Sequence, residues 1–289
     1  TPSAPAPATV PPGHPTTRAA YDAVVRARLR VEQVRAQAPR LNGVCTPAIE
    51  LHRVHETLLA ALLPEVVAGA ASTAPLAGAP GQELRAAERE LIAELRRLLI
   101  EAPDPAIARA MASMAAAVGQ LFPREAAPAG QGPAPIDLPP IDQGAAEPFQ
   151  TLLAHEHAAI WVYGVYGART SAAAEPELFG AISAGYAAHR GLCDQLTGAL
   201  AEADLQPVPA APSYPLPGPL ARPEAVRKAA AATEADLAQG YAWLVSQSVG
   251  ATRGWAADQL QRAAVRALTF QATPENFPGA SELADRIER

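Results

Sequence analysis

Lysine is almost absent from this chain: Lys228 is the only one, and arginine supplies the other basic side chains. Aromatic residues are also scarce, at 5%, which argues against sheets, because strands are built from aromatic and β-branched side chains. The hydrophobic fraction of 49% is instead rich in alanine, the best helix former. Cysteine occurs only as Cys45 and Cys193, one in each half. They offer a single bridge between the halves in an oxidising compartment. Cys193 also shares a helical stripe with Ile182, Tyr186, His189, Leu196 and Leu200, where a small buried apolar role competes with the bridge. No apolar run approaches the ~20 residues that span a bilayer; candidates such as Leu91 to Ile100 are broken by charges. There is no glycine-rich phosphate loop, Cys-x-x-Cys, His-Glu-x-x-His or Gly-x-Ser-x-Gly, so the chemistries those patterns carry have no foothold. Excess positive charge is missing too. The net charge is −6, with 13 Arg/Lys against 12 Asp/Glu in residues 1–125 and 10 against 17 afterwards. This balance excludes a nucleic-acid partner and supplies no basic patch for a membrane surface.

What is abundant is proline, with 30 residues, 20 of them gathered at 2–15, 123–148 and 207–223. Between these clusters the pattern has helical period. The segmentation reads as a Pro-rich tether over 1–17, a helical bundle over 18–125, a Pro/Gly linker over 126–146 and a second helical bundle over 147–289. In the first bundle, helices are expected near 18–37, from Thr46-Pro47 to Leu63, along the stripe Leu84, Leu91, Leu95 and Leu98, and from Asp104-Pro105 to Phe122. Thr46 reads as an N-cap with Pro47 at the first helical position. In the second, helices are expected from about Glu147 to Arg169, Glu175 to Ala203, Pro223 to Val249 and Thr252 to Thr273. His55-Glu-Thr-Leu-Leu-Ala-Ala-Leu and His189-Arg-Gly-Leu-Cys-Asp-Gln-Leu sit in corresponding second helices, a pattern compatible with duplication. The opening Pro/Ala/Thr segment at a non-Met start reads as what remains after a signal peptide or lipoprotein leader is removed, with artificial truncation as the alternative. The expected location is extracytoplasmic, with lipid anchoring through a removed N-terminus.

Four landmarks in the second half carry a family resemblance. They are Leu153-Ala-His-Glu-His-Ala-Ala-Ile-Trp-Val-Tyr-Gly-Val-Tyr-Gly-Ala, Ala184-Gly-Tyr-Ala-Ala-His-Arg, Tyr214-Pro-Leu-Pro and Phe277-Pro-Gly. Over about 147–280 the chain resembles a ferritin-like domain family of uncharacterised function, found in actinobacterial exported proteins and lipoproteins. The resemblance implies a four-helix bundle with a long crossover between its second and third helices, which suits the proline segment at 207–223. The expected fold is all-α: two consecutive four-helix bundles, the second ferritin-like.

A ferritin-like di-iron site takes a Glu from each of two helices and a Glu-x-x-His from each of the other two. Glu156 lies on the inward stripe of its helix, and His189 on that of the next, but Tyr186 stands three residues before His189. Glu234 lies close to the stripe of Ala230, Leu237 and Tyr241, while the last helix offers Asp258, Arg262 and Arg266. Two carboxylates and one histidine fall short of two irons, so the di-iron site is expected to be lost. The favoured reading is a polar network of Glu156, His189 and Arg262 or Arg266; a single-metal site is the competing one. His52 and His55, three residues apart, could likewise face one transition metal or pair with Glu32, Glu88 or Glu94. His155 and His157 flank Glu156 on different faces, so at most one could join it. The metal candidates are therefore His52, His55, Glu156 and His189, with either no cofactor or a single transition metal ion. The functional expectation is a non-enzymatic cell-envelope accessory or binding protein with an envelope or membrane protein as partner. The alternatives are a metal-binding or redox protein using His52/His55 or Glu156/His189, and a subunit of a larger envelope or membrane complex.

Overall fold

A computed structural model describes residues 15–63, 74–121, 138–141, 146–216 and 218–286. Within them every regular element is helical, and no strand occurs. In the first half these are α1 (Pro15–Gln37), α2 (Asn42–Ala60), α3 (Pro80–Glu101) and α4 (Pro105–Leu121). In the second they are α5 (Ala146–Ala168), α6 (Pro176–Glu202), α7 (Pro223–Gln247) and α8 (Gly250–Thr269), followed by a 3-10 turn over Ser281–Arg286. The expected residues 1–14 of the tether and most of the 126–146 linker lie outside the described residues.

Local chemistry explains most boundaries. Pro80, Pro105, Pro176 and Pro223 each open a helix, where the missing N–H would have had no intrahelical partner. Asp104 Oδ1 accepts from the Ala106 backbone N–H at 2.7 Å, capping α4. Two boundaries differ from expectation. α1 begins at Pro15 rather than 18, with Thr16 and Thr17 already buried. α2 begins at Asn42, after a 3-10 turn over Pro39–Leu41, so Pro47 lies inside the helix and Thr46 is not its cap. Pro47 is exposed there, as is Gly43, whose carbonyl loses its intrahelical donor and can turn to water.

The two halves repeat one packing plan. α1 packs on α2 and α3, and α3 on α4; likewise α5 packs on α6 and α7, and α7 on α8. The halves are not separate in their interiors. α4 packs on both α7 and α8, and one apolar core runs through both halves. The sequence of α4 accounts for this: Ala108, Met111, Ala112, Met114, Ala115, Ala116 and Val118 are all buried, covering every face, as expected for a helix enclosed on all sides. Ile141, from the linker, is also buried in that core.

Polar ties reinforce the junction. Buried Arg253 donates to the carbonyls of Leu99 (3.0 Å), Ala102 (2.6 Å), Val245 (3.1 Å) and Ser248 (2.7 Å), neutralising the C-terminal ends of α3 and α7 together. Arg96 grips Asp258 through two bonds at 2.7 and 2.6 Å. The segment after α8 then wedges into the first half. His55 donates to Asn276 O at 2.9 Å, Ser113 to Pro278 O at 2.8 Å and Arg109 to Gly279 O at 2.9 Å, while Phe277 is buried against the His55 ring. At Gly279 φ is +72°, and an added Cβ would lie 2.5 Å from Ala238 O. Gly279→Ala should therefore destabilise the fold by roughly 1–2 kcal/mol from the left-handed backbone alone, with the overlap adding to it. A thermal melt should fall by roughly 5 °C or more; an unchanged melt would show that the wedge contributes little.

Of the two readings of the cysteines, burial rather than a bridge is found. Cys45 and Cys193 are both free and buried: Cys45 packs among Val31, Val34 and Ile49, whereas Cys193 lies in the other core cluster beside His157.

Candidate functional site

Helical period places one charged group from each helix of the second half in a single layer. On α5 the buried stripe runs Phe149, Leu152, Glu156, Ala159, Tyr163 and Tyr166. On α6 it includes Ile182, Gly185, His189, Leu192 and Leu196, and on α7 Ala230, Glu234, Leu237 and Tyr241. α8 contributes Arg266. Glu156, His189 and Glu234 are wholly buried.

His189 is the centre of the layer. Its Nδ1 lies 2.8 Å from Glu156 Oε2 and its Nε2 3.1 Å from Glu234 Oε1. Arg266 Nε donates to Glu234 Oε1 at 2.8 Å, and the Tyr163 hydroxyl donates to the same oxygen. The Tyr241 hydroxyl donates to Glu156 Oε1 at 2.5 Å. The tyrosines are exchanged between helices: α5 carries Glu156 and Tyr163, α7 carries Glu234 and Tyr241, and each tyrosine serves the other helix's glutamate. Both helices thus have Glu and Tyr seven residues apart, which two turns of helix bring onto one face. Gly185 makes room for Tyr163, whose Cε1 would be 2.4 Å from an added Cβ.

The electrostatics follow from this geometry. Burial works against a charged His189 ring, but Glu156 and Glu234 outweigh it and hold its pKa up at about 9. Burial would raise the Glu234 carboxyl, yet Arg266 and then His189 bring it down to about 2. Arg266 is raised above its ordinary value, the pull of Glu234 exceeding the burial penalty. Burial, reinforced by the neighbouring carboxylates, lifts both Tyr163 and Tyr241 well above 10, so their hydroxyls stay protonated donors. Two acidic side chains, Glu156 and Glu234, thus face two basic ones, His189 and Arg266.

This donor set does not fit a metal. A histidine ligates through a nitrogen lone pair, but each His189 nitrogen faces a carboxylate oxygen and carries a proton toward it. Arg266 adds a fixed positive charge against Glu234. Chemically, the layer is also poorly suited to proton abstraction, because its histidine is already protonated and wholly enclosed.

The remaining candidates lie apart. His52 Nε2 meets Glu88 Oε1 at 3.1 Å between α2 and α3, the Glu88 pairing named among the expected options. His55, three residues on, instead serves the Asn276 carbonyl, and burial drives its pKa down to about 3. Through their Nε2 atoms His52 and His55 thus serve different partners, and neither bonds Glu156 or His189. Among the described residues no group of three or more His, Cys, Asp or Glu side chains is arranged to hold a metal ion. Neither neighbour of Glu156 joins it: His155 is exposed, and His157 bonds Val208 O at 3.1 Å with Cys193 Sγ 3.4 Å from its other nitrogen.

Residues 149–282 match the model of a domain family described as Domain of unknown function (DUF4439). The match takes in the whole charged layer and the Phe277-Pro278-Gly279 wedge. Neither the curated proteins nor the solved structures provide a match to this chain.

Proposed function

We propose that this chain is a non-enzymatic binding or accessory protein of the cell envelope, in which a ferritin-like bundle carries an ion-pair layer in place of a di-iron centre. One observation carries the reading: both ring nitrogens of His189 lie within hydrogen-bond distance of a carboxylate, Glu156 at 2.8 Å and Glu234 at 3.1 Å, and Arg266 occupies the flank of Glu234 at 2.8 Å, where a metal would need open donors. The resemblance of the second half supports the envelope setting, with an envelope or membrane protein as the partner. No helix among the described residues is long and apolar enough to cross a membrane.

Elemental analysis of protein purified from cells supplied with Fe, Mn, Cu and Zn tests the reading. The expected content is below roughly a tenth of an equivalent of each metal, unchanged in Glu156→Ala. Stoichiometric metal that disappears in Glu156→Ala would overturn it. A second reading places a single transition metal in the first half, favoured by the buried atoms His52 Nδ1, His55 Nδ1 and Glu88 Oε2, which have no hydrogen-bond partner. Metal that survives Glu156→Ala but is lost in His52→Ala would establish that alternative.

A further inference from the structure

A binding protein needs a surface that water covers poorly and a partner can cover well. The outer seam between α5 and α7 has that character. A groove of about 970 Å³ follows it, bounded by the crossover residues Tyr214 to Leu216 on one side and by Trp243 and Glu282 toward an end. Its lining includes the small residues Ala158 and Ala159, which let another main chain approach closely, while the space beside Gly240 is taken by the His155 ring. Leu216 and Trp243, 42% and 38% exposed, are two of the few large apolar side chains that the described residues leave in water, and both line this groove.

The charge of the rim is one-sided. Glu282 is neutralised by Arg109 at 2.8 Å. Glu147 and Asp236 also line the groove, but they make no ion pair among the described residues. The occupant must therefore bring positive charge along with apolar groups. Its length is set by α5: Glu147 to Val162 line the groove, a rise of about 22 Å at 1.5 Å per residue. An extended chain advancing ~3.3 Å per residue covers that distance in roughly six or seven residues. A small organic cation would leave most of it empty, and a second copy of this acidic chain would meet like charge.

We infer that the α5/α7 groove docks an extended partner segment of roughly seven residues combining Lys or Arg with apolar side chains. In this arrangement Trp243 and Leu216 cover the apolar groups, Glu147 and Asp236 receive the cations, and Thr151 and Gln239 are placed to bond the partner's main chain. The inference rests on the binding-protein reading above and specifies its site.

The test is a random octapeptide display library panned on the full chain, followed by isothermal titration calorimetry of the best synthetic peptide. Enriched sequences should carry at least two Lys or Arg beside apolar residues. Affinity should fall at least tenfold in Trp243→Ala, at least fivefold in the Glu147→Gln/Asp236→Asn double variant, and on raising salt to 0.5 M. Val249→Ser, which alters an apolar residue 75% exposed outside the groove, should bind as the parent does. Circular dichroism confirms that each variant is folded. Enrichment of acidic sequences, no enrichment, or equal binding by folded Trp243→Ala overturns the inference. Peptide binding that ignores these variants removes the groove while leaving a binding protein. Stoichiometric metal lost in Glu156→Ala removes the underlying reading whatever the peptides do.

Discussion

Arg266→Met should lower the melting temperature by roughly 10 °C. Arg266 keeps 14% of its side chain exposed, while its partner Glu234 has none. Removing the guanidinium leaves two buried carboxylates facing one imidazolium, so a unit of negative charge is stranded inside the bundle. Breaking a buried pair from one side costs on the order of 3–5 kcal/mol, and for chains of this size each kcal/mol moves the midpoint by about 2–4 °C. The companion experiment separates charge from packing. Glu234→Gln with Arg266→Met removes one charge of each sign, so the double variant should recover most of the loss. A single variant melting within 2 °C of the parent would mean that the layer is not held by its charges.

The second large effect is a stability maximum near pH 6.5 with two differently owned flanks. His189 has a folded pKa of about 9 against an ordinary 6.5. Its contribution is complete below 6.5 and is lost as the pH rises toward 9. His55 runs the other way, at about 3 against 6.5: its contribution is present above 6.5 and is lost as the pH falls toward 3. Glu234, at about 2 against an ordinary 4.5, adds a further loss between those values. Since one pKa unit corresponds to about 1.4 kcal/mol, the His189 flank should amount to roughly 3 kcal/mol and the His55 flank to roughly 5 kcal/mol at full extent. Urea midpoints at pH 4, 5, 6.5, 8 and 9 measure this. His189→Gln should flatten the alkaline flank and leave the acid one; His55→Gln should soften the acid flank alone. A profile flat from pH 6.5 to 9 in the parent protein would contradict the imidazolium at the centre of the layer.

Sequence periodicity reaches far into this fold because the helices are long and their ends are marked. The α3 stripe of Leu84, Leu91, Leu95 and Leu98 is buried as read, and Asp104-Pro105 starts α4. Glu156 and His189 point inward because the 3.6-residue repeat fixes their face whatever the neighbours are. Other features depend on neighbours that a repeat cannot name. Arg262 and Arg266 share a face, and only the approach of α7 selects Arg266 for Glu234. Glu156 and Tyr163, like Glu234 and Tyr241, are visible as pairs seven apart, but their exchange requires α5 and α7 to lie side by side. Pro47 misleads because a helix tolerates proline where the orphaned carbonyl faces water, so its presence need not mark a first turn. The alanine-rich α4 has no polar face to signal its packing; its composition announces enclosure without saying that α7 and α8 supply it.

The wedge at 276–282 sets a schedule for the growing chain. His55 on α2 waits for Asn276, 221 positions later, and Ser113 and Arg109 wait for Pro278 and Gly279. During synthesis the first four helices can collapse early, but these contacts arrive only after α5 to α8 have been translated. Closing so long a loop is entropically costly, so completion of the first half waits on the wedge segment. Until then the unfinished first half presents an apolar seam, and that interval is when a chaperone would have most to hold.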